Sequence, residues 1–154
     1  MSFTLMPSKP NNQNMGLKMD IREATKGLER MGSGFITVKR DGGEEHRFTA
    51  VDLHDFGNDQ GGVMVGSDDG TYHTIGFGYP AHSKDGSHKA YYKKDFFDSY
   101  MTWSYSDKDG GTHVADEGEL NVTFSNHLNS AKGSYSFETK EGTKFEGTFD
   151  LKAG

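Results

Sequence analysis

Apolar and polar residues alternate along short segments of this chain, with the period of two that a half-buried β-strand shows. The alternation is clearest in the C-terminal part, where its apolar members are Leu120, Val122, Phe124, Tyr135, Phe137, Phe145, Phe149 and Leu151. Thr139 to Thr143 supplies a short polar connection between the last two segments. This pattern predicts an antiparallel meander that closes the fold.

Acidic residues followed by glycine divide the chain into short segments. Asp and Gly tolerate the positive φ of tight hairpin turns, so such pairs between β-type segments indicate a series of β-hairpins. The pairs are Asp41-Gly42, Asp69-Gly70, Asp85-Gly86, Asp109-Gly110, Glu117-Gly118, Glu141-Gly142 and Glu146-Gly147. We expect the chain to reverse its direction at these pairs.

The segments between these turns predict the remaining strands. Gly34 to Arg40 and Val63 to Val65 are short and rich in β-branched residues, and Thr71 to Tyr79 is expected to pair with the second of them. Glu45 to His54 is predicted to be one strand. Because both of its faces carry apolar residues, this strand is expected to lie in the centre of a sheet. Asp98 to Tyr105 is a further predicted strand.

Less regular structure is expected at the N-terminus and in one internal segment. Residues 1–15 are expected to form a flexible or loosely held arm, and residues 16–154 a single all-β domain. Alternation after residue 16 favours a strand to about Glu23. A helix from Asp20 to Met31, with Asp20 as its N-cap, is the alternative. The acidic segment from Ser106 to Glu119 is interpreted as a loop.

Composition narrows the fold class. The chain has 154 residues, of which 32% are apolar, and it contains 21 Gly, 11 Phe, 7 Tyr and 1 Trp. A core built from few, large side chains suits a β-sandwich better than a helix bundle. We expect an antiparallel β-sandwich of about 8–10 short strands with hairpin and meander connections. A closed lipocalin-like β-barrel is the alternative.

Charge and hydropathy bear on the partners and the compartment. The formal net charge of −6 disfavours nucleic acid and anionic membrane surfaces as partners. The segment from Lys89 to Phe97 alternates cations with rings, as stacking platforms for single strands do, but Asp95 and Asp98 dilute its charge. We therefore expect no nucleic-acid partner. No segment has the length of a membrane span or a signal peptide, so a cytoplasmic protein is expected, with leaderless export as an open alternative.

Recognised catalytic motifs do not occur in this sequence. The chain has no Cys, no Gly-x-Ser-x-Gly and no His-Glu-x-x-His, so we expect neither enzyme activity nor a cofactor. His46 and His54 would lie about 26 Å apart on one flat strand, too far apart to share an ion. His82 and His88, with Asp85 between them, come closer to ligand spacing, but solvated loop histidines are the favoured interpretation.

The acidic loop offers a weak candidate for a calcium site. Its candidate ligands are Asp107, Asp109 and Asp116. Their spacing does not follow the EF-hand loop, so a solvated hairpin loop is favoured over a metal site.

Aromatic and histidine side chains supply the candidate ligand-binding residues. These are Tyr72, His73, Tyr79, His82, His88, Tyr91, Tyr92, Trp103 and Tyr105. If the strands near residues 71–79 and 91–105 are neighbours, several of these residues can line one surface. Tyr and Trp combine a flat apolar face with a polar edge, which suits sugar rings, flat ligands and protein partners. The alternative is that about half of them belong to the core.

The function predicted from these features is that of a non-enzymatic recognition module for a glycan, a peptide or a protein partner. One alternative is a small barrel that carries an apolar small molecule. Another is an acidic, immunity-type protein that blocks a basic partner. An enzyme with carboxylate and His groups in a cleft ranks last. An exposed edge strand also permits a homodimer.

Overall fold

The computed structural model describes residues 17–20, 32–68, 71–96 and 99–154. Within these ranges the chain forms 13 β-strands and no helix. The strands are β1 Leu17–Asp20, β2 Ser33–Arg40, β3 His46–Phe48, β4 Ala50–Asp55, β5 Gly62–Ser67, β6 Thr74–Tyr79, β7 Gly86–Tyr91, β8 Ser99–Thr102, β9 Ser104–Ser106, β10 Thr112–Val114, β11 Glu117–Ser125, β12 Ser130–Glu138 and β13 Lys144–Lys152. These residues form no helix that is long and apolar enough to cross a membrane.

Two antiparallel sheets form the body of the fold. Sheet I has the strand order β10-β9-β6-β5-β4, and sheet II has the order β3-β2-β13-β12-β11-β7. Strands β1 and β8 form a separate parallel pair. Neither sheet closes on itself, so the protein is a β-sandwich, as predicted, and the lipocalin-like barrel is wrong. The strands outnumber the predicted 8–10 because two predicted units are each divided in the structure and because β7 and β10 were not predicted.

The C-terminal meander is confirmed. Strands β11, β12 and β13 have 9 residues each, and they pair in continuous antiparallel register. All eight apolar residues of the predicted pattern are buried, with exposures of 0–4%. Their rings and branched chains face sheet I, and the alternating polar residues face solvent, as the period of two requires.

The predicted single strand from Glu45 to His54 is wrong. The chain leaves sheet II after Phe48 and enters sheet I at Ala50, so that β3 and β4 are edge strands of different sheets. Phe48 and Val51 are both fully buried. Residues three apart lie on opposite faces of one straight strand, and only the change of sheet lets both enter the same core. The apolar residues on both faces reflect this change of sheet, not a central strand.

Three of the acidic-glycine pairs form the predicted turns. Asp41 and Gly42 have φ values of 50° and 72° between β2 and β3, and Gly110 and Gly142 have positive φ in the turns after β9 and β12. Asp85-Gly86 instead opens β7, after the chain has crossed from sheet I to sheet II. The pair at residues 69–70 lies outside the described residues.

The pairs Glu117-Gly118 and Glu146-Gly147 are not turns, because both lie within strands of sheet II. A Cβ at Gly118 would lie 2.7 Å from the ring of Trp103. A Cβ at Gly147 would collide with the carbonyl oxygen of Thr37. In both places glycine lets another group approach the strand closely, which is its second use in sheets.

The predicted acidic loop from Ser106 to Glu119 is largely a hairpin. Thr112 pairs with Ser106 in the β9–β10 ladder, and β11 already begins at Glu117. The Asp107 carboxylate accepts hydrogen bonds from the backbone N–H groups of Asp109 and Gly111, which closes the turn. Side-chain capping of this kind is a normal use of Asp in turns.

The turn between β11 and β12 is held by a residue from another loop. Asn126, His127 and Leu128 have φ values of 56°, 57° and 64°. The carboxylate of Asp85 accepts hydrogen bonds from the backbone N–H groups of His127 and Leu128, each at 2.9 Å. These two bonds, the first more strongly, hold the pKa of Asp85 below its ordinary value.

Several predictions for the N-terminal region lie outside the described residues. Residues 1–16 and 21–31 are not described, so neither the arm over residues 1–15 nor the helix from Asp20 to Met31 is tested. The described residues 17–20 form β1, which agrees with that part of the favoured strand.

Candidate functional site

The nine candidate residues do not form one surface. His73, Tyr79, Tyr92 and Trp103 are buried, Tyr105 is half-buried, and the remaining four are exposed: Tyr72, His82, His88 and Tyr91. Strands β6 and β9 are neighbours, as the binding-surface prediction required. The nine side chains are nevertheless divided between the core and three separate places on the surface.

Trp103 and its neighbours form the aromatic centre of the core. The ring of Trp103 lies 4.8 Å from that of Tyr92 and 6.3 Å from that of Phe77, measured between centroids. Tyr79 is 2% exposed and donates its hydroxyl to Asp55 at 2.8 Å. Burial, together with the charge of Asp55, raises the pKa of Tyr79 far above its ordinary value. These buried rings have no face to offer to a ligand from solvent.

Two histidines converge on one carboxylate at the end of the sandwich. The ring nitrogens His46 Nε2 and His73 Nδ1 lie 3.0 and 2.7 Å from Asp68 Oδ2. The two imidazole centroids are 4.4 Å apart. One ligand atom from each residue lies within 4.8 Å of the others, and this is the one such group of three among the residues that the structure describes. We call these three residues the His-Asp cluster.

The cluster joins the two sheets. His46 begins β3 at the edge of sheet II, whereas Asp68 follows β5 and His73 precedes β6 in sheet I. The backbone N–H of Asp68 donates to the carbonyl of His73 at 3.0 Å, and the Thr71 hydroxyl donates to the carbonyl of Asp68. The β5–β6 hairpin therefore holds its two members in a fixed relation.

The buried ring of Phe48 packs against both histidines of the cluster. Phe48 is fully buried, and its ring lies 4.6 Å from that of His46 and 4.8 Å from that of His73. Gly66 makes room for it, because a Cβ there would lie 2.9 Å from the Cβ of Phe48. The side chains of His73, Asp68 and His46 are 6%, 31% and 39% exposed. The cluster is thus closed toward the core and open to solvent on one side.

Tyr105 fixes the second nitrogen of the buried histidine. Its hydroxyl lies 2.7 Å from His73 Nε2. Burial, followed by the charge of Asp107, raises the pKa of Tyr105, so that its hydroxyl keeps its proton at neutral pH. Burial alone would raise the pKa of Asp68, but hydrogen bonds from His73 and then His46 outweigh it and lower that pKa. Asp68 is consequently a carboxylate between two imidazoles.

A second candidate site is a groove of about 490 Å³ on the solvent face of sheet II. Its polar and aromatic members include Tyr91, Lys94, Glu117, Glu119, Ser136, Glu138 and Lys144. Strand register explains the arrangement: Tyr91, Glu119 and Ser136 are directly opposite one another across β7, β11 and β12. We call this feature the Tyr91 groove.

Tyr91 is 40% exposed and is held at a turn. Its backbone N–H donates to the Asp95 carboxylate at 2.6 Å, and the ammonium of Lys94 lies 5.5 Å from its ring centroid. Glu117 and Glu138 are directly opposite each other in the next row of the groove. Among the described residues, neither of these two glutamates has a cation within ion-pair distance. Lys144 lies opposite Glu138 on its other side, in β13, so the row runs from Glu117 through Glu138 to Lys144.

His82 and His88 do not share an ion site. They line a smaller cavity of about 140 Å³ beside Tyr79. His82 Nδ1 lies 2.6 Å from Asp59 Oδ2, whereas His88 Nε2 contacts the carbonyl oxygen of Lys84. Asp85, between them in sequence, contacts the distant β11–β12 turn.

The calcium candidates Asp107, Asp109 and Asp116 are also directed to different partners. Asp107 caps the β9–β10 turn, and Asp116 lies 3.7 Å from the ammonium of Lys93. None of the three belongs to the group of convergent ligands.

Sequence reasoning missed most of the His-Asp cluster. It selected His73 as a binding residue, but it compared His46 only with His54, on an assumed continuous strand. Phe48 and Val51, three apart and both apolar, were the signal that the chain changes sheet here. Asp68 precedes an Asp-Gly pair and carries no signal apart from its place in a turn.

No protein-family model, curated protein or solved structure matches this chain.

Proposed function

We propose that this protein is a non-enzymatic recognition module that binds a neutral glycan in the Tyr91 groove. The observation that carries the proposal is the combination of one exposed tyrosine ring with hydrogen-bonding groups of both kinds in a single groove. A groove of about 490 Å³ lies within the range of about 300–1,000 Å³ that is usual for small-molecule sites.

The chemistry of the groove suits a polyhydroxylated ring. Tyrosine offers a flat apolar face to the C–H side of a sugar and a polar hydroxyl at its edge. Beside Tyr91 in the same row, the carboxylate of Glu119 accepts hydrogen bonds from hydroxyl groups, and the hydroxyl of Ser136 both accepts and donates them. Lys94 and Lys144 add donors, so that neither charge sign dominates the groove. A strongly charged ligand would meet repulsion from one of the two sets.

A row of charged side chains adds a second argument. Glu117 and Glu138 are directly opposite each other across β11 and β12, and Lys144 lies opposite Glu138 in β13. Two carboxylates and one ammonium in a single row offer both acceptors and donors to the hydroxyl groups of a sugar ring.

The proposal is tested with an array of neutral oligosaccharides, followed by titration calorimetry of the strongest glycan. Tyr91→Ala is expected to weaken binding about tenfold, because an aromatic contact of about 1–1.5 kcal/mol is lost. Tyr72→Ala is the matched control, since Tyr72 is 62% exposed but lies outside the groove. Its binding should equal that of the wild-type protein.

Glu138→Gln separates a binding role from a structural one. The substitution keeps the side-chain shape and removes the charge at an exposed position, so glycan affinity should fall while the free energy of unfolding changes by less than about 0.5 kcal/mol. Array signals no higher than those of a denatured sample would overturn the proposal, as would equal losses for Tyr91→Ala and Tyr72→Ala. Selective binding to Lys- and Arg-rich peptides would assign the groove to a basic protein partner instead.

A further inference from the structure

We propose that the His-Asp cluster binds a divalent transition-metal ion, with Zn²⁺ as the best match. The cluster shares no residue with the Tyr91 groove, so the two proposals stand or fall separately.

The distances suit a small cation. Ligand atoms about 2.0–2.2 Å from a tetrahedral zinc ion are separated from one another by roughly 3.3 Å. In the structure, Asp68 Oδ2 lies 3.0 Å from His46 Nε2 and 2.7 Å from His73 Nδ1. All three ligand atoms lie within 4.8 Å of one another. Shifts of up to roughly 1.5 Å would bring these atoms to tetrahedral separations, and the exposed side chains of His46 and Asp68 can move by that much.

The donor set selects the class of metal. Two imidazole nitrogens and one carboxylate oxygen favour Zn²⁺ and its transition-metal neighbours, whereas Ca²⁺ and Mg²⁺ require sets made of oxygen atoms. Three protein ligands leave one position of a tetrahedral ion for water or another molecule. This position would lie on the side of His46 and Asp68, the more exposed members of the cluster.

Tyr105 supplies an oxygen acceptor for the second ring nitrogen of His73, the nitrogen at which metal-bound histidines usually donate to a carboxylate, a backbone carbonyl or water. Because the Asp68 carboxylate only accepts, a neutral His73 carries its proton on Nδ1 and accepts the Tyr105 hydroxyl hydrogen at Nε2. With a cation on Nδ1, Nε2 carries the proton and donates it to the hydroxyl oxygen, because a hydroxyl serves in both directions. Hydrogen bonds of this kind orient the ring and strengthen the ligand.

The His-Asp cluster is more extensive than an isolated His-Asp ion pair. His82 and Asp59 form such a pair elsewhere in the protein, with a single histidine in an exposed loop. In the His-Asp cluster, residues from two sheets meet above the buried ring of Phe48, and the inner histidine is held at both nitrogens. A bound ion would link sheet I to sheet II.

The experiment uses the full-length protein, stripped of metal with a chelator and then titrated with ZnCl₂ or CoCl₂. Calorimetry is expected to give one Zn²⁺ per chain, and the Co²⁺ complex should show the visible absorption of a tetrahedral site. His46→Gln is the principal variant because His46 is an exposed member at an edge strand. Since changes to outer-shell partners weaken metal sites by about 10–100-fold, loss of this ligand should weaken binding by at least about 100-fold.

His82→Gln is the matched control and should leave the stoichiometry and affinity unchanged. Asp68→Asn is the second variant, because it keeps the side-chain shape while removing the anionic ligand. Circular dichroism establishes that each variant is folded. Failure of the wild-type protein to bind Zn²⁺ would overturn the proposal. Equal weakening by His46→Gln and His82→Gln, or a preference for Ca²⁺ over Zn²⁺, would also overturn it.

Discussion

Tyr135 makes a buried hydrogen bond that connects three strands of sheet II. Its hydroxyl donates to the carbonyl oxygen of Thr37 at 2.7 Å, and it reaches that carbonyl across β13 at Gly147, its partner in the β12–β13 register. Burial raises the pKa of Tyr135 well above its ordinary value, so the hydroxyl remains a donor. The substitution Tyr135→Phe removes this donor alone.

The expected loss of stability follows from what the substitution leaves in place. The ring continues to stack on Phe77, at 4.3 Å between centroids, so the apolar burial of Tyr135 is unchanged. A hydrogen bond contributes about 0.5–1.5 kcal/mol net, and a buried acceptor without its donor costs about 1–3 kcal/mol. Because Thr37 is only 3% exposed, we expect Tyr135→Phe to lower the free energy of unfolding by about 1–2 kcal/mol.

Urea denaturation followed by tryptophan fluorescence measures this change, since Trp103 is the single tryptophan and is fully buried. With a denaturant slope of about 2 kcal/mol/M, the midpoint should fall by roughly 0.5–1 M. Tyr91→Phe, at an exposed ring, is the control and should change stability by less than about 0.5 kcal/mol. If Tyr135→Phe unfolds at the wild-type midpoint with an unchanged slope, the bond does not carry the proposed energy.

Three further predictions concern the core, a loop and the proposed metal site. Gly118→Ala places a Cβ 2.7 Å from the ring of Trp103, so it should lower the free energy of unfolding by about 1–3 kcal/mol and shift the fluorescence emission of Trp103. Gly42→Ala is the control, because no atom lies within 4 Å of its added Cβ and the emission should not change. Equal spectra for the two variants would refute the packing argument. The folded-state pKa of Asp85 is below its ordinary value, so its stabilising effect is complete above about pH 4 and is lost as pH falls through the folded-state pKa. Asp85→Asn should therefore lower the urea midpoint at pH 7 and make the midpoint less sensitive to pH in this acidic range. An unchanged dependence of the midpoint on acidic pH would contradict the assignment. Tyr105→Phe should weaken Zn²⁺ binding by about 10–100-fold while the stoichiometry stays at one Zn²⁺ per chain, both measured by calorimetry. An affinity equal to that of the wild-type protein would exclude a positioning role for Tyr105.

The sequence predicted part of the Tyr91 groove. Tyr91 and Tyr92 were both selected as candidates, and both line the groove, although only the ring of Tyr91 is exposed. The glutamates of the groove were missed, because their convergence depends on the register between β11 and β12. Alternation predicts that Glu117 and Glu119 face solvent, but it does not predict which residue lies opposite.

The local properties of the chain determined its β-structure. Alternation over five to nine residues and the turn preferences of Asp and Gly act between near neighbours, so they are readable without a fold, and they yielded the sandwich class and the closing meander. Only the tertiary structure decided which sheet each strand joins and which distant side chains meet. His46 and Asp68, 22 residues apart, meet because the chain changes sheet after Phe48. Such a contact depends on the pairing and packing of whole strands, which local preferences do not specify.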